Sequence, residues 1–595
     1  MAKRHTYDFG LIGNCAYLAL VGLDTNISWM CMPRFDSSFI FGSLIGGEKG
    51  GEFSVKPEQE NFKSEQRYIQ NTNVLETIIS TDDFSYKITD CAPRFRQFDR
   101  HYRPQMLIRK IEPLNGTPQL KVVCNPVGEY GEKKLRRERG SSHIRYFGLP
   151  ETLRVTTDIP INMVIDSNYF VLTKPRYLIL TYGAPLEAEL QETAESFIRK
   201  TTYYWQNWVK STSIGMHYQQ QVIRSALALK IHQYEDTGGI IASPTMSLPE
   251  SPGSTRNWDY RYCWMRDTYY TLTAFNNIGH FEEMEKYFLY LTNLPMSGKE
   301  RIQPLYDIIG QNKIIETELD LPGYLGNKPV RLGNDAYTHI QNDVYGQILL
   351  AILPLYTDKR FSKIERSDSV PLLETIIDKI EFTIDEADAG LWEFRNLKQQ
   401  HAYTHLFQWA GSYAACKIAK EIGATALEKK ANALRIKAQK HLDNCYLPDR
   451  NAYSQAEGVN RMDASTLQLI MMNYIPHDSK RAKDHLKALE EDLKVGKGLF
   501  YRYKHADDFG EPETTFLICA FWYAEALACV NRTDDAMEAF EEITSYANHV
   551  GLLSEDVNFE DGSMWGNFPQ AYSHVGLVNA AYRINSKLDK PDFLP

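Results

Sequence analysis

The chain has no cysteine pattern able to frame a fold. Its nine cysteines, an odd number in 595 residues, include no Cys-x-x-Cys pair and sit in apolar or aromatic settings such as Cys31, Cys263, Cys416, Cys519 and Cys529. That spacing argues against a disulfide scaffold and a thiolate metal site, and the cysteines read as buried thiols. A basic stripe is missing too. Net charge is −10, which leaves no electrostatic footprint for nucleic acid. No apolar run is long enough to span a membrane, since Phe516–Ala528 is broken by tyrosine and glutamate. The basic residues Lys3 and Arg4 are followed by no apolar stretch, so no secretory signal is read and a cytoplasmic location is expected. What is present, 43% apolar and 24% charged residues, is the balance of a globular chain with room for several domains.

The pattern changes near residue 190. Before it, short β-branched and aromatic runs alternate with turn residues: 68–80, 84–90, 106–112, 120–127, 153–156, 168–172 and 177–182. They predict an N-terminal antiparallel β-sandwich over 1–187. A 3.6-residue apolar period through Leu190, Ala194, Phe197 and Ile198 predicts a linker helix within 188–212. From 213 to 595, twelve helices are expected, at about 216–234, 266–277, 281–292, 341–356, 370–385, 403–421, 424–442, 464–474, 479–494, 513–531, 533–547 and 569–584. Segments rich in small and aromatic residues (403–421, 513–531) precede amphipathic, charged ones (424–442, 533–547). Six such hairpins point to an all-α (α/α)6 barrel. An α-solenoid would show a fixed repeat length, and these spacings vary.

Chemistry-bearing residues gather in the gaps between helices. The run Arg256–Asp267 holds four aromatics, three arginines and two aspartates in twelve residues. Aromatic faces cover the apolar side of a sugar ring while Arg and Asp hold its hydroxyls, so the run reads as the floor of a carbohydrate pocket. A buried ion-pair network flanked by aromatics is the plainer alternative. Further polar stretches are Gly323–Asn334, Gln341–Gly346, Gly390–Arg395, Gly498–Tyr503, Leu553–Glu555 and Trp565–His574. His401, His405 and His574 raise the question of a metal, but no His-Glu-x-x-His pattern accompanies them and neither a metal nor a cofactor is expected.

On these residues the chain resembles glycoside hydrolase family 15, the family of glucoamylases, glucodextranases and some bacterial trehalases. The likeness spans nearly the whole chain: Ile12–Cys15, Ala19–Val21 and Ile27–Ser37 near the start, then Arg256–Asp267, Pro329–Asn334, Trp392-Glu393, Phe521-Trp522 and Gly566–His574. The resemblance implies an inverting exo-hydrolase that releases β-glucose from the non-reducing end of an α-linked oligo- or polysaccharide. Glu393 then corresponds to the general acid and Glu555 to the general base. Arg266 and Asp267 correspond to the pair that grips the terminal glucose and Arg502 to a substrate-contacting arginine; Trp258, Tyr260, Trp264 and Trp392 are read from their residue type as candidate substrate-binding aromatics. Departures stand at Asn26 and Ser28, which puts substrate preference in doubt if the sandwich reaches the pocket rim, and at Thr404 or His405, where the family carries serine.

Elementary chemistry fits those roles. A leaving sugar oxygen needs a proton, so one carboxyl must be neutral at working pH; Trp392 and Phe394 beside Glu393 are expected to supply a low-dielectric wall. The other must stay ionised to take a proton from water, and Ser554, Asp556 and Asn558 suggest a polar setting for Glu555. On physics alone Glu393 equally fits an acid at a helix start, and Asp267 a helix N-terminal acid paired with Arg266. Three functions stay open: a glucoamylase-like exo-α-glucosidase, a trehalase of the same fold, and a carbohydrate-sensing regulatory protein without turnover.

Overall fold

The computed structural model describes residues 4–294, 301–361 and 370–589. Its first part is built of two β layers. One is an eight-stranded antiparallel sheet with Met106–Asn115 and Arg176–Tyr182 at its centre, in register Ile108 to Ile179. The other combines a four-stranded meander, Phe9–Gly13 to Phe39–Phe41, with a three-stranded sheet around Gln119–Asn125. Alternation assigns each face. Leu107, Ile111, Leu178 and Leu180 join Val21, Val55 and Val122 in the core between the layers. Ile108, Tyr177 and Ile179 turn the other way, into the cluster that contains Trp205 of the next helix. Inside the sandwich Arg109 bonds Asp90 at 2.7 Å with neither side chain exposed, and also donates to the Phe53 carbonyl, pinning the layers together. The run 68–80 divides into two strands, Lys63–Tyr68 and Leu75–Ser80, because Asn71 takes φ +59° at the turn between them.

Helix α1 (Leu190–Lys210) follows, its first turn capped by the Glu189 carboxylate. The barrel helices are α2 (Gln219–His232), α3 (Met265–Asn277), α4 (Phe281–Thr292), α5 (Val344–Thr357), α6 (Val370–Thr383), α7 (Ala402–Glu421), α8 (Thr425–Asn444), α9 (Leu467–Met471), α10 (Lys480–Leu493), α11 (Leu517–Cys529), α12 (Thr533–Thr544) and α13 (Ala571–Leu588). Two short helical turns inside the sandwich are left unlabelled. Six helices form a closed inner ring, α3–α5–α7–α9–α11–α13 and back to α3, and each packs against an outer one: α4, α6, α8, α10, α12 and, for α13, α2. This is an (α/α)6 barrel.

Small residues let the inner helices approach. A Cβ on Gly346 of α5 would lie 1.9 Å from the Phe407 carbonyl oxygen of α7, and one on Gly411 would lie 2.3 Å from the Gly346 Cα. Every residue of α11 is buried, whereas outer α10 buries only one stripe through Ala482, Leu486, Leu489 and Leu493. The helix expected over 464–474 shrinks to five residues of α-helix preceded by a 3₁₀ turn, Ala464–Thr466, whose start Asp463 caps. Among the described residues no helix is long and apolar enough to cross a membrane.

Candidate active site

At one end of the barrel the interhelical loops surround a recess of about 840 Å³, its open mouth included. Glu393, Glu555, Arg266, Asp267, Trp264, Trp258, Trp392, Arg502 and Tyr260 all line it. Residues spread over more than half the barrel sequence meet there because the inner ring closes.

The run Arg256–Asp267 divides its residues between two faces. Trp258, Tyr260, Trp264 and Arg266 line the recess. Asp259 and Arg261 point away, form an ion pair at 2.8 Å and are wholly buried. These two form the buried ion-pair network that was the alternative reading of the run. Arg261 also donates to the Ser37 carbonyl at 2.8 Å and the Tyr130 hydroxyl at 3.2 Å, both in the sandwich. Trp29 of the sandwich donates its indole N–H to the Pro244 carbonyl at 2.6 Å. Thus the signature Ile27–Ser37 braces the pocket floor from behind. Asn26 reaches Ser43 Oγ and the Phe53 N–H, and neither it nor Ser28 lines the recess, so the doubt about rim specificity at these positions falls away.

Glu393 sits in a turn, not at a helix start: α7 begins only at Ala402. Its backbone is left-handed, φ +62°, a conformation that costs a glutamate of the order of 1 kcal/mol and that serves here to aim the side chain inward. Oε1 accepts from Trp264 Nε1 at 2.7 Å, Gln341 Nε2 at 3.2 Å and Arg266 Nη1 at 3.4 Å. Among the described residues none reaches Oε2. Donors fill one oxygen, so a proton carried by this carboxyl rides on Oε2. The wall imagined around Glu393 is only partly apolar. Phe394 is buried, but the Trp392 indole is turned to donate to Asp463 at 2.8 Å, which fixes its ring as pocket lining.

Glu555 differs from the expectation more sharply. It is 1% exposed, and burial together with the neighbouring Glu250 charge pushes its carboxyl up to about 8. Its ionised form is supported by the Tyr260 hydroxyl, donating to Oε1 at 2.8 Å, and the Asn567 N–H, donating to Oε2 at 3.2 Å. Asp556 next to it is also pushed up by burial and by Glu250, and has one hydrogen-bond donor, Thr514 Oγ1 at 3.2 Å. Arg502 is the cation facing these three carboxyls, and it bonds Glu250 Oε2 at 2.5 Å. Burial and mutual repulsion raise Glu555 and Asp556 together, so this pair keeps a proton near neutral pH. With two donors on Glu555 and one on Asp556, that proton is best placed on Asp556.

Arg266 bridges two sides of the recess: it bonds Asp267 Oδ1 at 3.0 Å, the Leu391 carbonyl at 2.9 Å and Glu393. Asp267 lies in the first turn of α3, so it is both a helix N-terminal acid and a pocket group. Arg331 and Arg395 lie over the Trp258 ring at 4.6 and 5.0 Å and hold it in place.

The histidines serve other ends. His401 bonds Asp388 at 2.8 Å and His574 bonds Ser225 at 2.9 Å. Thr404, a departure from the family, donates to the same Asp388 at 2.8 Å. His405, His441 and Glu457 place ligand atoms within 4.8 Å of one another. Yet the two rings stack in parallel, 4.4 Å apart at 10°, so their lone pairs do not converge, and His441 is already held by Glu457 and Asp385.

From the sequence, Glu250 had no place in the site, Gln341 no role within its stretch, and Asp556 only that of a polar neighbour of Glu555. Gln341 and Asp556 stood beside motifs already noticed, whereas Glu250, in Leu248-Pro-Glu-Ser-Pro252, belongs to no pattern; only its proximity to the arginine-rich run hinted at a partner.

Comparison with known proteins agrees with this geometry. The model of glycosyl hydrolases family 15 matches residues 216–582, and that of a trehalase-like N-terminal domain matches 4–165. A trehalase of Thermoplasma volcanium is 33% identical, covering 98% of this chain and 94% of its own. A trehalase of Mycolicibacterium smegmatis is 27% identical, covering 97% and 91%. A crystal structure of bacterial glucoamylase complexed with acarbose superposes with a TM-score of 0.69 at 14% identity, over 98% of this chain and 95% of that one. The fold, the family match over most of the barrel and a relative at one-third identity along nearly the full length agree: this chain belongs to glycosyl hydrolases family 15 and is a glycoside hydrolase.

Proposed function

We propose that this hydrolase is a trehalase that cleaves the α,α-1,1 bond with inversion, Glu393 acting as general acid and Glu555 as general base. The observation that carries the substrate is the likeness to relatives named trehalase, which extends through both parts of the chain, including the trehalase-like N-terminal domain. The site chemistry supports the reaction. A glucose ring held by Arg266 and Asp267 and covered by the aromatic lining presents its C1 between the two carboxyls. Glu555 takes a proton from water as the oxygen attacks C1. The bond from C1 to the bridging oxygen breaks, and Oε2 of Glu393 protonates that oxygen as the second glucose leaves. Tyr260 and Asn567 support the base in its ionised form, and Trp264, Gln341 and Arg266 orient the acid.

The test is a proton NMR time course on trehalose, maltose, isomaltose and starch. Inversion on trehalose releases one β- and one α-glucose per turnover before mutarotation; two α-glucose would mean retention and overturn the mechanism. Glucose from maltose or starch in preference to trehalose would make the enzyme glucoamylase-like. Sugar binding with no release from any substrate would leave a regulatory protein.

A further inference from the structure

The base has a support outside the barrel. Glu555 is followed directly by the strand Asp556–Val557, which pairs with Thr515–Phe516 on one side and Met564–Trp565 on the other. Residues 4–7, ahead of the sandwich's first strand, lie along the free edge of Met564–Trp565. The Met564 N–H donates to the His5 carbonyl at 3.0 Å, the His5 Nδ1–H donates to the Met564 carbonyl at 2.7 Å, and the His5 ring stacks on Trp565 at 4.4 Å. Tyr7, fully buried, stacks on Phe568 at 4.8 Å and donates its hydroxyl to the Gly566 carbonyl at 2.9 Å. Asn548 Nδ2 in turn holds the Tyr7 and Phe9 carbonyls, each at 2.8 Å.

Gly566 is the point of contact with the chemistry. It takes φ +75° and packs so tightly behind Glu555 that a Cβ there would lie 2.5 Å from the Glu555 Cβ. The next N–H, of Asn567, is the donor to Glu555 Oε2. We infer that the segment His5–Tyr7 completes the sheet that carries the base, and that Tyr7 is a positioning residue, holding the Gly566–Asn567 peptide against Glu555. The inference rests on the reading of Glu555 as general base. The sandwich thereby reaches the reaction from beneath.

Tyr7→Phe removes the hydroxyl and keeps the ring on Phe568. Kinetics on trehalose well below the melting temperature should show kcat lowered about fivefold with KM unchanged, the loss of one buried hydrogen bond that fixes the base. Amide hydrogen exchange should quicken in peptides covering 553–570 and stay as in the unaltered protein in α7. If Y7F does not fold, His5→Gln, which leaves Tyr7 in place, carries the same two readouts. Unchanged exchange at 553–570 overturns the inference, as does faster exchange there with unchanged kcat. So does a general quickening that includes α7 with KM and kcat moving together, which is the mark of a merely structural residue. If the unaltered protein releases glucose from no α-glucoside, it is the reading of Glu555 as base that fails, and the exchange data still decide whether Tyr7 holds the Gly566 loop.

Discussion

The two carboxyls of the recess are prepared in opposite ways. Glu393 is partly exposed, perched on a left-handed turn, and gripped through one oxygen by three donors drawn from the start of α3 and the loop before α5. Glu555 immediately precedes a sheet strand, is almost fully buried, and shares its surroundings with two other carboxyls and one arginine. One group is set by aim, the other by charge balance. On the proposed roles, the difference means that an acid and a base need not be separated by an apolar wall against a polar one. Orientation of a free oxygen can specify the proton donor, and a crowded acid cluster can leave one member as the acceptor.

Replacing either carboxyl is the coarsest way to break the comparison. Glu393→Gln and Glu555→Gln should each lower glucose release by about 10²- to 10⁴-fold while circular dichroism stays unchanged. Full activity in either variant would remove that residue from the reaction. Next in size, Gly566→Ala forces a Cβ into Glu555 at a backbone angle that resists it, and should cost about 10²-fold in kcat by displacing the base; nothing comparable is expected from substitutions behind Glu393. A crystal structure would show the shifted carboxylate.

Two matched substitutions sharpen the contrast. Tyr260→Phe and Trp264→Phe each remove one donor, to Glu555 and to Glu393 respectively, and each should lower kcat about tenfold. Only Y260F should move the rising limb of the pH–rate profile to higher pH, because the ionised base loses a donor. Glu250→Gln should move that limb to lower pH, since the neighbouring negative charge is gone; a limb that stays put would detach Glu250 from the base.

The smallest effect is on stability. Burial raises both carboxyls of the Glu555–Asp556 pair, so the folded state binds the pair's shared proton more tightly than the unfolded chain. Its contribution is complete below pH 4.5 and is lost as pH rises through about 8. The melting temperature of E555Q should therefore exceed that of the unaltered protein at pH 9, and the two should converge at pH 4.

Much of this was legible beforehand for identifiable reasons. Most of the helices are long and periodic, so they were expected close to where they stand, the exception being 464–474, of which only Leu467–Met471 is α-helical. The aromatic and arginine content of Arg256–Asp267 marked the pocket floor, and the family resemblance singled out both glutamates. Asp259 and Arg261 misled because composition does not say which face of an extended run is buried. The setting of Glu555 misled because Ser554, Asp556 and Asn558 are polar in the chain, yet Asn558 turns away to the 563 loop and Ser554 bonds the Asp556 backbone. Glu250 was invisible because its partner, Arg502, is far along the sequence.

By itself the sequence determined the order of β and α parts, the alternation of tight and amphipathic helices, and which side chains could do acid–base work on a sugar. These are local properties of periodicity, side-chain volume and donor type. Only the tertiary structure decided which oxygen of Glu393 is free, which carboxyls crowd Glu555, and that residues near the start of the sandwich brace the loop behind it. Each of those depends on groups brought together by ring closure and sheet pairing, and burial, charge coupling and hydrogen-bond direction exist only once the groups have met.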